Sequence, residues 1–237
     1  MTYRISNYTA GQEAEVLIYG EIGDEFGGVS AAGFYDEVAA LDAPLGVTFR
    51  INSYGGDVFT GWAVYNQIRK LQQPTTTAVD GIAASIASVI AMAGDTVTIS
   101  DNGMFMIHNA WTSLVLAGDA NAMAEGSADL ARMTETLRAI DDQIVATYAS
   151  RVNVDADQLR EWMDRETWFT SAEAVSYGFA DAVTEPLAVA AAYVPDGKYK
   201  NTPRHLLQSQ RIVEPHPEAS TARRNRAAAR LALRARR

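Results

Sequence analysis

The chain has 237 residues, 48% of them hydrophobic, and no cysteine. That length and composition suffice for one domain with a sizeable core, and the missing cysteines exclude both a disulfide framework and a thiolate metal site. Residues 186–237 carry eleven Lys/Arg against three Asp/Glu while residues 1–185 carry nine against twenty-six, so the net charge of −9 divides into an acidic body and a basic tail.

The N-terminus, Met1-Thr-Tyr-Arg-Ile-Ser-Asn, lacks the apolar core of a signal peptide. The longest mostly apolar stretch, Ile82 to Gly94, is shorter than the roughly 20 residues that cross a bilayer. These features predict a cytoplasmic protein with no membrane partner.

In chain order, Ala14–Tyr19 reads as a strand, Val29–Leu41 as a helix and Val47–Ile51 as a strand. Val58–Leu71 carries apolar residues at helical spacing and stops at Pro74. Thr75–Val79 is extended, Ser85–Ala93 helical, and Thr96–Ser100 and Met104–Ile107 are strands. Over residues 119–151, Leu130, Met133, Leu137, Ile140 and Ile144 recur at 3,4 spacing, which predicts one long amphipathic helix. That seam either packs on its own domain or pairs with another subunit. Asp155–Met163 and Ser171–Tyr177 are short helices, Gly178 ends the second, and Phe179–Val183 is a last strand. Alternation of strand and helix predicts an α/β fold with largely parallel strands. After Glu185 the pattern fades into a flexible basic tail, with an Arg- and Ala-rich run at 223–237.

Two glycine-containing turns carry the chemical signal. Gly81-Ile-Ala-Ala-Ser85-Ile-Ala-Ser88 follows a strand and opens a helix. Ser85 therefore sits beside the positive end of a helix, where backbone N–H groups stabilise a developing oxyanion. Asn52-Ser-Tyr-Gly55-Gly56-Asp57 lies between strand and helix and suits an anion cradle; the GxxxxGK[ST] spacing of a phosphate-binding loop is absent. Of the three histidines, His205 and His216 lie in the basic tail, and His108 ends an apolar strand. A seryl nucleophile needs a base, and His108 is the one imidazole the body offers. Ser88 is the rival nucleophile, one turn further on. No metal and no cofactor are called for.

The stretches INSYGGDVFTGWAVYNQIRK, GIAASIAS, MFMIHNA and ETWFTSAEAVSYGFAD, in this order, resemble the proteolytic subunit of Clp proteases, most of all the phage head maturation (prohead) branch. The resemblance covers about Ala14 to Val183. It implies a crotonase-like fold of repeated ββα units with a protruding handle helix, here at 119–151, and a serine peptidase domain over 1–185. It implies Ser85 as nucleophile, His108 as base, and Gly56 and Ile86 as oxyanion N–H donors. The third member in that family is usually an Asp; the aligned residue here is Glu166, with Asp164 as the alternative. The family's Pro in its Asn-Ser-Pro-Gly-Gly loop is Tyr54 here, and its Gln before Ala-Ala-Ser is Ile82.

The implied function is a serine endopeptidase of phage head maturation, acting on capsid or scaffold polypeptides in the host cytoplasm or inside a procapsid. The alternatives are a general degradation subunit working with an external ATPase, and a catalytically inactive scaffold of the same fold. Handle pairing implies a homo-oligomer of heptameric rings, one or two per particle. The tail at 186–237 is expected to bind a capsid component or nucleic acid.

Overall fold

The computed structural model describes residues 3–6, 13–23, 30–41, 45–112, 120–185, 194–195 and 197–207. The elements are β1 (Tyr3–Ser6), β2 (Ala14–Ile22), α1 (Ala31–Ala39), β3 (Val47–Gly56), α2 (Val58–Arg69), β4 (Thr75–Ala84), α3 (Ile86–Ala91), β5 (Thr96–Ser100) and β6 (Met104–Ile107). They continue with α4 (Ala120–Ala149), α5 (Ala156–Asp164), β7 (Thr167–Thr170), α6 (Ser171–Tyr177), β8 (Ala182–Thr184) and α7 (Arg204–Leu207). The expected α/β fold is present, and it is predominantly parallel: β2–β3, β3–β4, β4–β5, β4–β6 and β5–β8 all pair in parallel, while β1–β2 and β6–β7 are antiparallel.

Strand alternation decides which face is core. Along β3 Val47, Phe49, Ile51 and Ser53 are buried, and along β2 Ala14, Val16 and Ile18. All but Ser53 join Phe34 and Val38 of α1 and Val64 and Ile68 of α2 in one apolar cluster. The intervening residues include a polar tie. Asp80 of β4 accepts from Tyr19 Oη of β2 at 2.6 Å and from Arg50 Nε of β3 at 2.8 Å, so its buried carboxylate is paired.

Side chains cap the helices as their sequence suggests. Ser30, Asp57 and Asp155 accept from backbone N–H groups three residues on. Thr170 and Glu173 form a reciprocal capping box on α6, and Gly178 (φ 85°) ends it.

Three expectations shift. β3 and β4 run five residues further than apolar patterning indicates, through Gly55-Gly56 and through Gly81 to Ala84, because neighbouring strands continue to pair with those small residues. β8 starts at Ala182 rather than Phe179, because the N–H groups of Phe179 and Ala180 turn back to Ala174 O beyond α6. Residues 194–207, assigned by composition to the tail, pack on the body where described: Val194, Tyr199 and Leu206 are buried against Ile82, Ala84, Met104 and Met106. The segment 208–237, with the Arg-rich run, lies outside the described residues.

The long helix is α4. Its C-terminal end is buried through Ile144, Val145 and Tyr148, whereas Leu130 is 49% exposed. Tyr148 and Phe179 meet Phe105, Trp162 and Phe169 in an aromatic cluster with centroid separations of 5.1–6.5 Å. Among the described residues no helix is long and apolar enough to cross a membrane. Phe179 is fully buried at the centre of this cluster, so Phe179→Ala is expected to cost about 3–5 kcal/mol, measured as a shift of the urea midpoint at unchanged slope.

Candidate active site

Strand register brings the site together. β4 pairs with β5 over Thr76–Val79 and then with β6 over Ile82–Ala84. Ala84 lies opposite Met106, and the next residue, Ser85, donates its N–H to Met106 O at 3.0 Å. His108 follows the last residue of β6. Ile107 pairs with Thr167 in the antiparallel β6–β7 ladder, so His108 and Glu166 each lie one residue beyond the same end of it. Ser53 pairs with Ala83, which draws Gly55 alongside Ser85. A Cβ on Gly55 (φ 93°) would stand 2.7 Å from Ser85 Cβ and 2.8 Å from Ala84 O, so only glycine fits.

Ser85 is the N-cap of α3, with φ 57° and ψ −132°. Among the described residues only two non-glycines have positive φ, Ser85 and Glu166 (51°). Such conformations cost on the order of 1–3 kcal/mol and cluster at functional sites. The turn resembles a nucleophile elbow: a strained strand-to-helix corner that presents a hydroxyl above a helix N-terminus. Ile86 is the first residue of α3, so its N–H has no acceptor within the helix.

Ser85 Oγ and His108 Nε2 are 2.7 Å apart. Burial pushes the His108 imidazole down to about 4; the Glu166 carboxylate opposes this and the Lys198 ammonium adds to it. At neutral pH His108 is therefore uncharged and able to accept the seryl proton. Glu166 and Asp164 behave differently. Asp164 Oδ1 accepts from Asn109 Nδ2 at 2.7 Å, and Asp141 Oδ1 accepts from Ala110 N at 2.7 Å, so two carboxylates anchor the loop after His108. The Glu166 oxygens accept from the backbone N–H groups of Lys200 (3.0 Å) and Asn201 (2.6 Å). Among the described residues no hydrogen bond joins either carboxylate to His108.

An open cavity of about 560 Å³ exposes Ser85 and His108 together with Gly56, Trp111, Lys198 and Tyr199. The last two come from the segment assigned to the tail, and sequence reasoning missed them. The signals available were the Pro195-Asp196-Gly197 turn and an aromatic residue amid basic ones, neither of which names a contact. Tyr199 packs edge-on to the His108 ring with centroids 5.2 Å apart.

A family model described as Clp protease matches residues 7–186. The chain belongs to the Clp protease family. It is 31% identical over 139 residues to ATP-dependent Clp protease proteolytic subunit 1 of Chlamydia pneumoniae, covering 58% of this chain and 69% of that one. It is 28% identical over 178 residues to proteolytic subunit 3 of Rhodococcus jostii, covering 75% and 84%. Against subunit 1 of Protochlamydia amoebophila the identity is 29%, and the match spans 64% of that relative's length. A point mutant of ClpP1 from Listeria monocytogenes has a similar structure, with a TM-score of 0.60 at 23% identity, over 72% of this chain and 91% of that one. This Clp-family fold is thus a mixed α/β arrangement about a parallel sheet.

Within that fold, Ser88 has a structural position. Its Oγ donates to Ser85 O at 2.5 Å and lies 2.7 Å from Tyr148 Oη, in a fully buried setting. Ser88→Ala strands the Tyr148 hydroxyl and is expected to lose about 1–3 kcal/mol in urea unfolding. Reactivity of Ser85 toward a fluorophosphonate should persist.

Proposed function

We propose that this chain is a serine endopeptidase in which Ser85 is the nucleophile and His108 the general base. The observation that carries the reading is the 2.7 Å Ser85–His108 contact at a strained strand-to-helix corner opening on a cavity. Ser85 Oγ attacks the scissile carbonyl as His108 Nε2 takes its proton. The N–H groups of Gly56 and Ile86 receive the oxyanion, His108 protonates the leaving amine, and water hydrolyses the acyl-enzyme. Glu166, which lies one residue beyond the same end of the β6–β7 ladder as His108, is the acid that orients the imidazole. Asp164 is the alternative third member; its carboxylate accepts from Asn109, the residue after His108. An inactive scaffold is disfavoured, since it has no use for a strained serine held against an imidazole.

We assign the finer role to phage head maturation, with capsid or scaffold polypeptides as substrates. The support is the resemblance of the ETWFTSAEAVSYGFAD stretch and the basic composition beyond residue 186. A second reading, a degradation subunit served by an external ATPase, is favoured by the names of the relatives, which are ATP-dependent Clp protease proteolytic subunits. Cleavage of folded capsid precursors without added ATPase and nucleotide separates the two.

A homo-oligomer of heptameric rings, one or two per particle, fits α4. Leu130 is exposed, Met133 and Leu137 are half-buried, and only Ile144 at the lower end of the seam is buried within the chain. Leu137→Asp is expected to shift the particle to smaller species in light scattering; a stable monomer for the parent chain at micromolar concentration contradicts the assembly.

Fluorophosphonate labelling tests the chemistry. Labelling is expected at Ser85, abolished by Ser85→Ala; survival in that variant sinks the mechanism. Of the two carboxylates, Glu166→Gln should lower kcat/KM the more and Asp164→Asn the less. Because burial lowers the His108 pKa, the base form survives acidification. The acid limb of kcat/KM is expected near pH 4 rather than near the ordinary histidine value of about 6.5.

A further inference from the structure

Glu166 stands where an orienting acid belongs but is bonded elsewhere. Both of its oxygens are taken by backbone N–H groups of Lys200 and Asn201, and Asn201 Nδ2 donates to Arg165 O at 2.7 Å. Hydrogen bonds from N–H groups to a carboxylate are the strong, charge-assisted kind.

The segment that supplies them, 197–207, is fastened at several points. Tyr199 Oη donates to Tyr54 O, and its ring packs against His108 and Trp168. Lys198 Nζ pairs with Glu21 at 3.3 Å and sits 4.6 Å above the Tyr54 ring. Leu206 is buried against the small cluster of Ile82, Met104 and Met106. The segment walls the Ser85 cavity on one side and leaves it open. The family match ends at residue 186, before this segment begins.

We propose that residues 197–207 form a releasable latch: its backbone N–H groups hold Glu166 away from His108, leaving Ser85 and His108 as a dyad until release lets Glu166 turn to the imidazole. This rests on the serine peptidase reading of the site. Glu166 acts through His108, so it is a positioning residue, and the strap controls which partner its carboxylate takes. Pull on the chain beyond residue 207, or its removal, is the natural trigger, because α7 and the buried Leu206 lie at that end of the strap.

The test uses the full chain and the rate of fluorophosphonate labelling at Ser85. Asn201→Pro deletes one of the N–H donors to Glu166, and Leu206→Ala removes the buried anchor at the far end of the strap. The orienting acid of such triads is worth up to about 10⁴ in rate. Even partial release is therefore expected to speed labelling by about tenfold in either variant, so misfolding of one leaves the other to decide. In a Glu166→Gln background the same substitutions should give no gain, a coupling that simple uncovering of the cavity would not produce. Unchanged or slower labelling of Ser85 in both folded variants overturns the latch and leaves the peptidase reading standing. A gain that persists in Glu166→Gln also overturns it, making the strap a steric cover only. Absence of labelling at Ser85 in parent and variants alike overturns the peptidase reading, and the latch with it.

Discussion

The constraint on which the site depends is the change of partner along β4. Its first half pairs with β5 in the main sheet, and its second half leaves β5 to pair with β6. Nothing at the site is local in sequence: Ser85 follows β4, His108 follows β6, Glu166 precedes β7, and Gly55-Gly56 ends β3. Each is one residue from a ladder whose register is fixed by burial, since a one-residue slip would turn Ala84, Met104 and Met106 out of their cluster. The small residues of Gly81 to Ala84 permit the divergence. They continue the strand beside β6 and let Gly55 approach the Ser85 side chain. The main sheet behind them is held by the buried face of β2 and β3 and by the Tyr19–Asp80–Arg50 tie.

Much of this could be read from the residues. Apolar periodicity located every element but β1, β7 and α7, because a half-buried strand alternates and a packed helix repeats every three to four residues. It failed where pairing rather than patterning makes the strand. β1 is four residues long, and β7, Thr-Trp-Phe-Thr, passes for the lead-in to a helix. The strand ends through Gly55-Gly56 and Gly81 to Ala84 failed for the same reason, since small residues carry no period and only a neighbouring strand shows them to be extended.

The candidate site divides along similar lines. Ser85, His108 and the paired glycines are rare residue types in telling local contexts, and the fold brings them together. The carboxylate could not be settled so readily. Asp164 and Glu166 are two residues apart at the junction of α5 and β7, and only the β6–β7 ladder shows that Glu166 adjoins the strand end that His108 also adjoins. Tyr199 and Lys198 were invisible because composition assigned them to a charged tail. A lysine there reads as solvated, yet this one is paired with Glu21 across 177 residues of sequence.

The two strained backbones tie these threads together. Ser85 and Glu166 both occupy left-handed φ without being glycine, and each sits at a junction of helix and strand. At Ser85 the chain must give its N–H to Met106 O and at once begin α3. At Glu166 the N–H closes onto Met163 O at the end of α5, and the next residue enters the β7 ladder. Glycine would relieve either corner by removing the Cβ that makes left-handed φ costly, but it would also remove the hydroxyl or the carboxylate. Cost without local structural need is what a functional side chain leaves in a backbone. On that argument Glu166 is more than a surface acid that happens to face a histidine. Its strained corner sets the carboxylate against the backbone N–H groups of Lys200 and Asn201, one residue beyond the ladder end that His108 also leaves.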